Sequence, residues 1–307
     1  MNRIIYILTL LLIGSFHLQG QYFPIFSQYV SNGLVINPAY TGSREVLSLN
    51  LLYRNQMVGF NGSPQYQTLT AHTPLKNDNI GIGLQFLNES AGPIRNTHIY
   101  TSYSYRVRFA KGKLSFGLKA GVNYGQYNWN NVYTNDTHDP AFNNNNNSFL
   151  LPNFGAGVYY YSNKFFSGIS VPYLLSFKEN TDHNGFSFYH DFKNYNFLIT
   201  SGYLFNISRN FKLKPTTLIK YYTNAKEQID LNLNFILLND KLWLGTAYRL
   251  DEAMAGSFEV QINPQFRIGY AFEYAGKTAE FFNYTSHEIS LRYEFSYKIK
   301  AFNPRYF

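Results

Sequence analysis

Beyond residue 20 the chain carries His72, His98, His138, His183, His190 and His287, and none falls in an HExxH or comparable metal-ligand spacing. The run Asp136-Thr137-His138-Asp139 could hold a hard cation through its carboxylates, but a solvated loop is the plainer reading of such a cluster. His98 shares one strand face with Ser102 and Ser104. A serine nucleophile needs a histidine and an acidic or amide partner within hydrogen-bond reach, and this arrangement is too common to assign one. No Walker loop and no GxSxG is present. With no cysteine, the chain has no disulfide, thiolate metal site, cysteine nucleophile or lipidated N-terminal cysteine. The expectation is a protein without catalytic centre, metal or cofactor.

Two other groups of residues carry more information. Arg106, Lys119, Asp230, Arg249, Glu259, Arg267, Glu273, Arg292 and Glu294 all lie on the polar faces of alternating segments. Mixed charge so placed either lines a pore or pairs across a closed lumen, and the sequence leaves both open. The second group is aromatic: Tyr127, Trp129, Tyr133, Phe142, Tyr173, Phe186, Phe188 and Tyr189 sit in or beside long connections. Asn143–Asn147 forms a polar tip among them. Rigid rings beside adaptable polar residues suit an interaction surface better than a smooth pore mouth.

The elements that must position these residues follow from composition. Aromatic residues make up 19% of the 307 residues and charged residues only 14%, against about 25% charged in a typical soluble domain. Mean hydropathy is nevertheless −0.27, so apolar and polar residues must be finely interleaved. That excludes a bundle of membrane helices, which needs apolar runs of about 20 residues, and a chain this aromatic is not disordered. The net charge of +8 is dispersed, with no basic run, so nucleic acid is not an expected partner.

Residues 1–20 have the layout of a secretory signal: Met1-Asn2-Arg3, an apolar core Ile4–Ile13, then small residues up to Gly20. Residues 21–44 show no alternation and hold Asn37-Pro38; the expectation is a segment at a periplasmic mouth or packed as a plug. Period-two alternation fills residues 45–307. It is clearest in Glu288–Lys300, where Ile289, Leu291, Tyr293, Phe295, Tyr297 and Ile299 oppose Glu288, Arg292, Glu294 and Lys298. It is clear again in Leu47–Tyr53, Ile80–Phe86, Tyr103–Phe109, Leu114–Tyr124, Ile229–Leu237, Phe258–Ile262 and Phe266–Tyr274. Weaker segments are Gln65–Thr73, Leu151–Tyr160, Phe165–Val171, Tyr195–Phe205, Phe211–Tyr222 and Leu242–Arg249. Together they predict about 14 strands, an even number, as single-chain outer-membrane barrels require.

The connections agree. Tight turns such as Ala110-Lys111-Gly112, Ser162-Asn163 and Asn239-Asp240 follow even-numbered strands, while the long ones, Gln126–Leu150 and Pro172–His190, follow odd-numbered strands. With both termini in the periplasm, the long loops lie outside. The expected class is therefore all-β, a transmembrane antiparallel barrel of outer-membrane type ending in an aromatic residue, Phe307.

Phe26–Glu45 reads FSQYVSNGLVINPAYTGSRE, Tyr53–Leu75 reads YRNQMVGFNGSPQYQTLTAHTPL, and GIGLQFLNESAGPI, GKLSFGLKAGVNYGQYN and HDPAF follow. These stretches resemble the PorP/SprF family of outer-membrane proteins of Bacteroidota type IX secretion systems. The resemblance implies a partner of the type IX machinery, in secretion or gliding motility, with machinery components on the periplasmic side. It implies a helper that receives a large secreted adhesin by its C-terminal sorting domain and holds it at the surface. It adds Phe26, Gln28, Tyr29, Asn37, Pro38 and Tyr40 to Tyr127, Trp129, Tyr133, Phe142, Tyr173 and Phe188 as candidates for partner binding. A porin-like passive or substrate-selective channel is the alternative.

Overall fold

The computed structural model describes residues 26–76, 78–128, 147–180, 185–189, 194–223, 226–276 and 284–295. Alternation in these residues leaves only one way to bury the polar faces while exposing the greasy ones, a sheet closed on itself. The wall begins with β1 (Leu47–Asn55), β2 (Gln65–Pro74), β3 (Ile80–Ala91), β4 (Ile94–Phe109), β5 (Gly112–Tyr127), β6 (Asn147–Tyr161) and β7 (Phe165–Val171). A separate hairpin, β8 (Ser176–Asn180) and β9 (Gly185–Tyr189), follows. The wall resumes with β10 (Asn196–Tyr203), extended past Leu204 by β11 (Phe205–Asn206), then β12 (Phe211–Tyr222) and β13 (Gln228–Leu237). It ends with β14 (Leu242–Arg249), β15 (Ala253–Gln261), β16 (Phe266–Ala275) and β17 (Tyr284–Phe295).

Every neighbouring pair is antiparallel. The first and last strands meet in register from Leu47↔Phe295 to Asn55↔His287, and β10 joins β7 to β12, so the wall closes as a 14-stranded barrel. No helix among the described residues is long and apolar enough to cross a membrane.

Each segment predicted from alternation forms a strand, with shifted limits. β4 begins at Ile94, not Tyr103, because Arg95, Thr97 and Thr101 interrupt the apolar series on its outer face. β15 begins at Ala253, not Phe258, since Ala255, Gly256 and Ser257 carry no contrast to read. The described part of the last strand ends at Phe295; Ser296–Lys300 lies outside the described residues.

Leu51, Leu84, Tyr105, Phe116, Leu118, Leu231 and Ile289 point outward and are exposed, as lipid-facing residues must be. Their neighbours Asn50, Gln85, Arg106, Ser115, Lys119, Asp230 and Glu288 point inward and are buried. One end of the barrel is closed by tight turns. Between β13 and β14 the backbone passes through Asn239 and Asp240 at φ 53° and 71°, a left-handed path that these two side chains tolerate. At the other end lie the longer connections and the β8–β9 hairpin.

Residues 26–44 lie inside the wall. They fold as three one-turn helices, Tyr29–Ser31, Gly33–Ile36 and Pro38–Tyr40. Such short helices have no stability of their own; contacts with the wall hold them. Apolar residues of the segment, Phe26, Val35 and Ile36, pack on inward-facing Leu52, Leu87, Leu198 and Leu218. Inward glycines admit the closest approach. A side chain at Gly117 would run into the backbone of Ala39, and one at Gly157 into the Asn37 amide.

Candidate functional site

The lumen holds a dense set of buried polar contacts, and its ion pairs come from the adjoining strands β13 to β17 and β1. Arg54, at the end of β1, pairs with Glu273 of β16 at 2.7 Å and with Glu288 of β17; all three side chains are almost wholly buried. Arg249 of β14 bonds Asp230 of β13 at 3.0 Å and reaches the same Glu273 at 3.3 Å. Nearer the tight-turn end, Glu259 lies 3.4 Å from Arg267 and 3.6 Å from Arg292, and Arg292 also approaches Glu294 at 3.6 Å. The predicted lumen charges on β13 to β17 thus form two paired clusters. Buried charges survive only when paired and hydrogen-bonded.

The N-terminal segment completes both clusters. The backbone N–H groups of Ser27 and Gln28 donate to the Glu288 carboxylate at 2.6 and 3.0 Å, and Ser27 Oγ donates to Glu273 at 2.8 Å. Ser31 Oγ donates to Glu259, while Arg292 donates to the Ser31 carbonyl at 3.2 Å. Further along, the Asn37 amide donates to the carbonyls of Val158 and Ile169 at 3.0 and 3.2 Å, bracing β6 against β7 from inside. Thr41 and Gly42 meet the other wall: Ser104 donates to the Thr41 carbonyl at 2.7 Å, the Gly42 N–H donates to His72 Nδ1 at 3.0 Å, and Arg106 donates to the Gly42 carbonyl. Arg44 then pairs with Glu294 at 2.6 Å, and Glu45 with Lys113, at the tight-turn end.

Lys119 stands apart from both clusters. Its ammonium lies 4.4 Å from the Tyr100 ring centre and 4.9 Å from that of Tyr173, a distance at which a desolvated cation is attracted to the ring face. Tyr173, expected on an outer loop, therefore turns inward onto Lys119 and His98. Phe26, Gln28, Tyr29, Asn37, Pro38 and Tyr40 are all buried in the lumen, so they touch the wall of their own barrel. Tyr127 ends β5 with its ring against Phe149. Trp129, Tyr133, Phe142 and the Asp136–Asp139 cluster lie outside the described residues, as do the side chains of Phe186, Phe188 and Tyr189.

The histidine–serine pairing on β4 does not form. His98 and Ser102 are four residues apart on one strand, roughly 13 Å at ~3.3 Å per residue. His98 Nδ1 instead meets the Asn123 amide at 2.7 Å, and Ser102 accepts from Thr41 at 2.9 Å. Among the described residues no three His, Asp or Glu side chains are grouped to hold a metal.

Arg54, Lys214 and Lys220 are lumen residues absent from the sequence reading, and Glu288, which alternation places on a polar strand face, joins the lumen charges as well. For Arg54 the signal was present: Ser48, Asn50 and Leu52 mark the inward positions of β1, and Arg54 is the next.

A family model described as "Type IX secretion system membrane protein PorP/SprF" matches residues 18–293. No curated protein sequence matches significantly. Among solved structures, the CymD monoaromatic hydrocarbon channel is similar over 91% of this chain and 94% of its own, at 12% identity and a TM-score of 0.55. The Ralstonia pickettii toluene transporter TbuX matches 91% of this chain and 96% of its own, at 9% identity and a TM-score of 0.51. The Acinetobacter baumannii outer membrane protein Omp33 matches 83% and 100%, at 8% identity and a TM-score of 0.50. At such identities the likeness is one of fold, and function has to be argued from the site.

Proposed function

The chain belongs to the PorP/SprF family of type IX secretion system membrane proteins, and on that premise we propose that it is an integral outer-membrane barrel that captures a large secreted adhesin by its C-terminal sorting domain and holds it at the cell surface. The tight-turn end, where β1 begins and β17 ends, faces the periplasm and the secretion or gliding components there. The long-loop end faces outward and carries the aromatic connections that contact the adhesin.

One observation carries this reading over that of a porin. A porin needs a continuous aqueous path, whereas here Phe26–Ser43 is packed across the lumen and hydrogen-bonded to β1, β2, β4, β6 and β7 on one side and to β13, β15, β16 and β17 on the other. A filled lumen leaves the barrel's rims as working surfaces. The Ser102 and Ser104 hydroxyls and His98 Nδ1 are engaged in structural hydrogen bonds, which suits a binding role for this face of β4.

The test pairs two measurements on the intact protein. Purified barrel in planar bilayers is expected to show no steady porin-like conductance, and barrel isolated from native outer membranes to bring a secreted adhesin with it. Steady conductance with no secreted protein retained would return the reading to a channel.

A further inference from the structure

β6 is longer than the strand beside it. Its pairing with β7 runs only from Ala156↔Val171 to Tyr161↔Phe166, while β6 itself continues to Asn147. The chain leaving β7 follows β6 a short way, with Leu174 N–H donating to the Phe154 carbonyl at 2.9 Å. The Asn153 amide then ends the pairing, accepting from the N–H groups of Phe154, Leu174 and Leu175 at 2.8, 3.1 and 3.2 Å and donating to the Leu175 carbonyl. Past this point the hairpin β8–β9 forms its own sheet and does not pair with β6.

The direction of the free groups follows from the ladder. Even-numbered residues of β6 point their backbone groups toward β7: the Phe154 carbonyl meets Leu174 there, and the Ser162 N–H meets the Phe165 carbonyl. Ser148, Leu150 and Pro152 share that direction, and among the described residues nothing pairs with them on that side. The edge thus presents the N–H groups of Ser148 and Leu150 and three carbonyls. Pro152 fits this arrangement, because its missing N–H would point at the open side, the one strand position where proline removes no ladder bond.

This edge stands at the rim of the bilayer. About 11 residues separate Leu150 from Tyr161, roughly 36 Å of strand at ~3.3 Å each. At a tilt of about 40° that is ~28 Å of height, just above an apolar band of ~25 Å. Unpaired backbone groups are not tolerated deeper in lipid. No charged residue guards the stretch, and Leu150 is 62% exposed, although natural edges are commonly blunted with lysine or charge.

We infer that the edge of β6 at Ser148–Pro152, unpaired among the described residues, is a docking site for an extended strand of the secreted partner, which adds to the barrel wall by backbone hydrogen bonding beside β6. This deepens the proposed function and rests on it for the identity of the partner. The occupant is recognised by backbone rather than by side-chain chemistry, with Leu150 giving one apolar contact on the outer side.

The test uses the intact protein in its own membrane. The chain has no cysteine, so Ser148→Cys carries a unique thiol for a maleimide–benzophenone crosslinker. Light should join it to a β-strand of a secreted protein. Adding Leu150→Pro deletes one edge N–H without touching the β5 ladder, and should lower that crosslink about tenfold, the scale of a lost backbone hydrogen bond. Leu150→Ala, which keeps the N–H, should leave it largely intact. In a chain that retains Ser148, Ser148→Pro is the second edge variant, read by partner copurification and, like Leu150→Pro, checked for folding by heat-modifiable mobility. Crosslinks only within the chain or to lipid, or equal capture with both proline variants, would overturn the edge proposal while leaving the export reading standing. Absence of any secreted partner in wild-type preparations would overturn both.

Discussion

Arg54 offers one guanidinium to two carboxylates from neighbouring strands, in a place where water cannot substitute for it. Replacing it with methionine leaves Glu288 and much of Glu273 uncompensated, a loss of about 3–5 kcal/mol by the cost of breaking a buried pair. The expected outcome is a lower urea midpoint for the folded barrel in detergent micelles. The triple variant Arg54→Met, Glu273→Gln, Glu288→Gln should recover most of that loss, since neutral amides need no counter-charge. If the single variant unfolds at the wild-type midpoint, the network is not holding the wall. Gly157 supplies a second prediction at this scale. Gly157→Val would drive a side chain into the Asn37 amide and displace the Asn37–Tyr40 turn, so the variant barrel should conduct in planar bilayers where wild type does not. Gly256, with open space at its Cβ position, is the control; Gly256→Ala should change nothing measurable.

The strands and the lumen segment were unequally legible, for a physical reason. A wall strand meets two different media, so its sequence must alternate, and Leu114–Tyr124 or Ile229–Leu237 can be read directly. The segment 26–44 is surrounded on all sides by the same kind of surface. It carries no periodicity, and only its contacts reveal where it lies. Where it lays apolar side chains on the wall, the wall's own pattern inverts: Leu52, Leu198 and Leu218 occupy inward positions that alternation assigns to polar residues. That is why β12, with Pro215, Thr216 and Thr217 beside Leu218, was a weak strand in the sequence and why Lys214 and Lys220 on it went unnoticed. Because the ladder closes without the segment, deleting Phe26–Ser43 should leave a barrel that inserts. It should lose stability where Glu259, Glu273 and Glu288 lose donors, and it should show stepwise conductance. A deleted form that inserts yet stays electrically silent would count against the segment as the plug.

At the scale of the whole molecule the two ends differ in kind. One end has tight turns, the Arg44–Glu294 and Lys113–Glu45 pairs and the starting point of the wall; the other has the long connections, the β8–β9 hairpin and strands β4 to β6, which run 15 or 16 residues. A strand needs only about 9–11 residues to cross a bilayer, so these strands must project beyond it at one rim. An accessory barrel that holds an adhesin outside the cell requires that rim to be the outer one, which makes orientation a test of function. A short epitope inserted within Asn143–Asn147 should be labelled by antibody on intact cells, whereas the same epitope at Asn239-Asp240 should be labelled only after the outer membrane is permeabilised. Removing Thr134–Asn147 should then release the adhesin into the medium while heat-modifiable mobility shows that the barrel still folds. The reverse labelling pattern would put the aromatic connections in the periplasm, where a surface-anchoring role has no place for them.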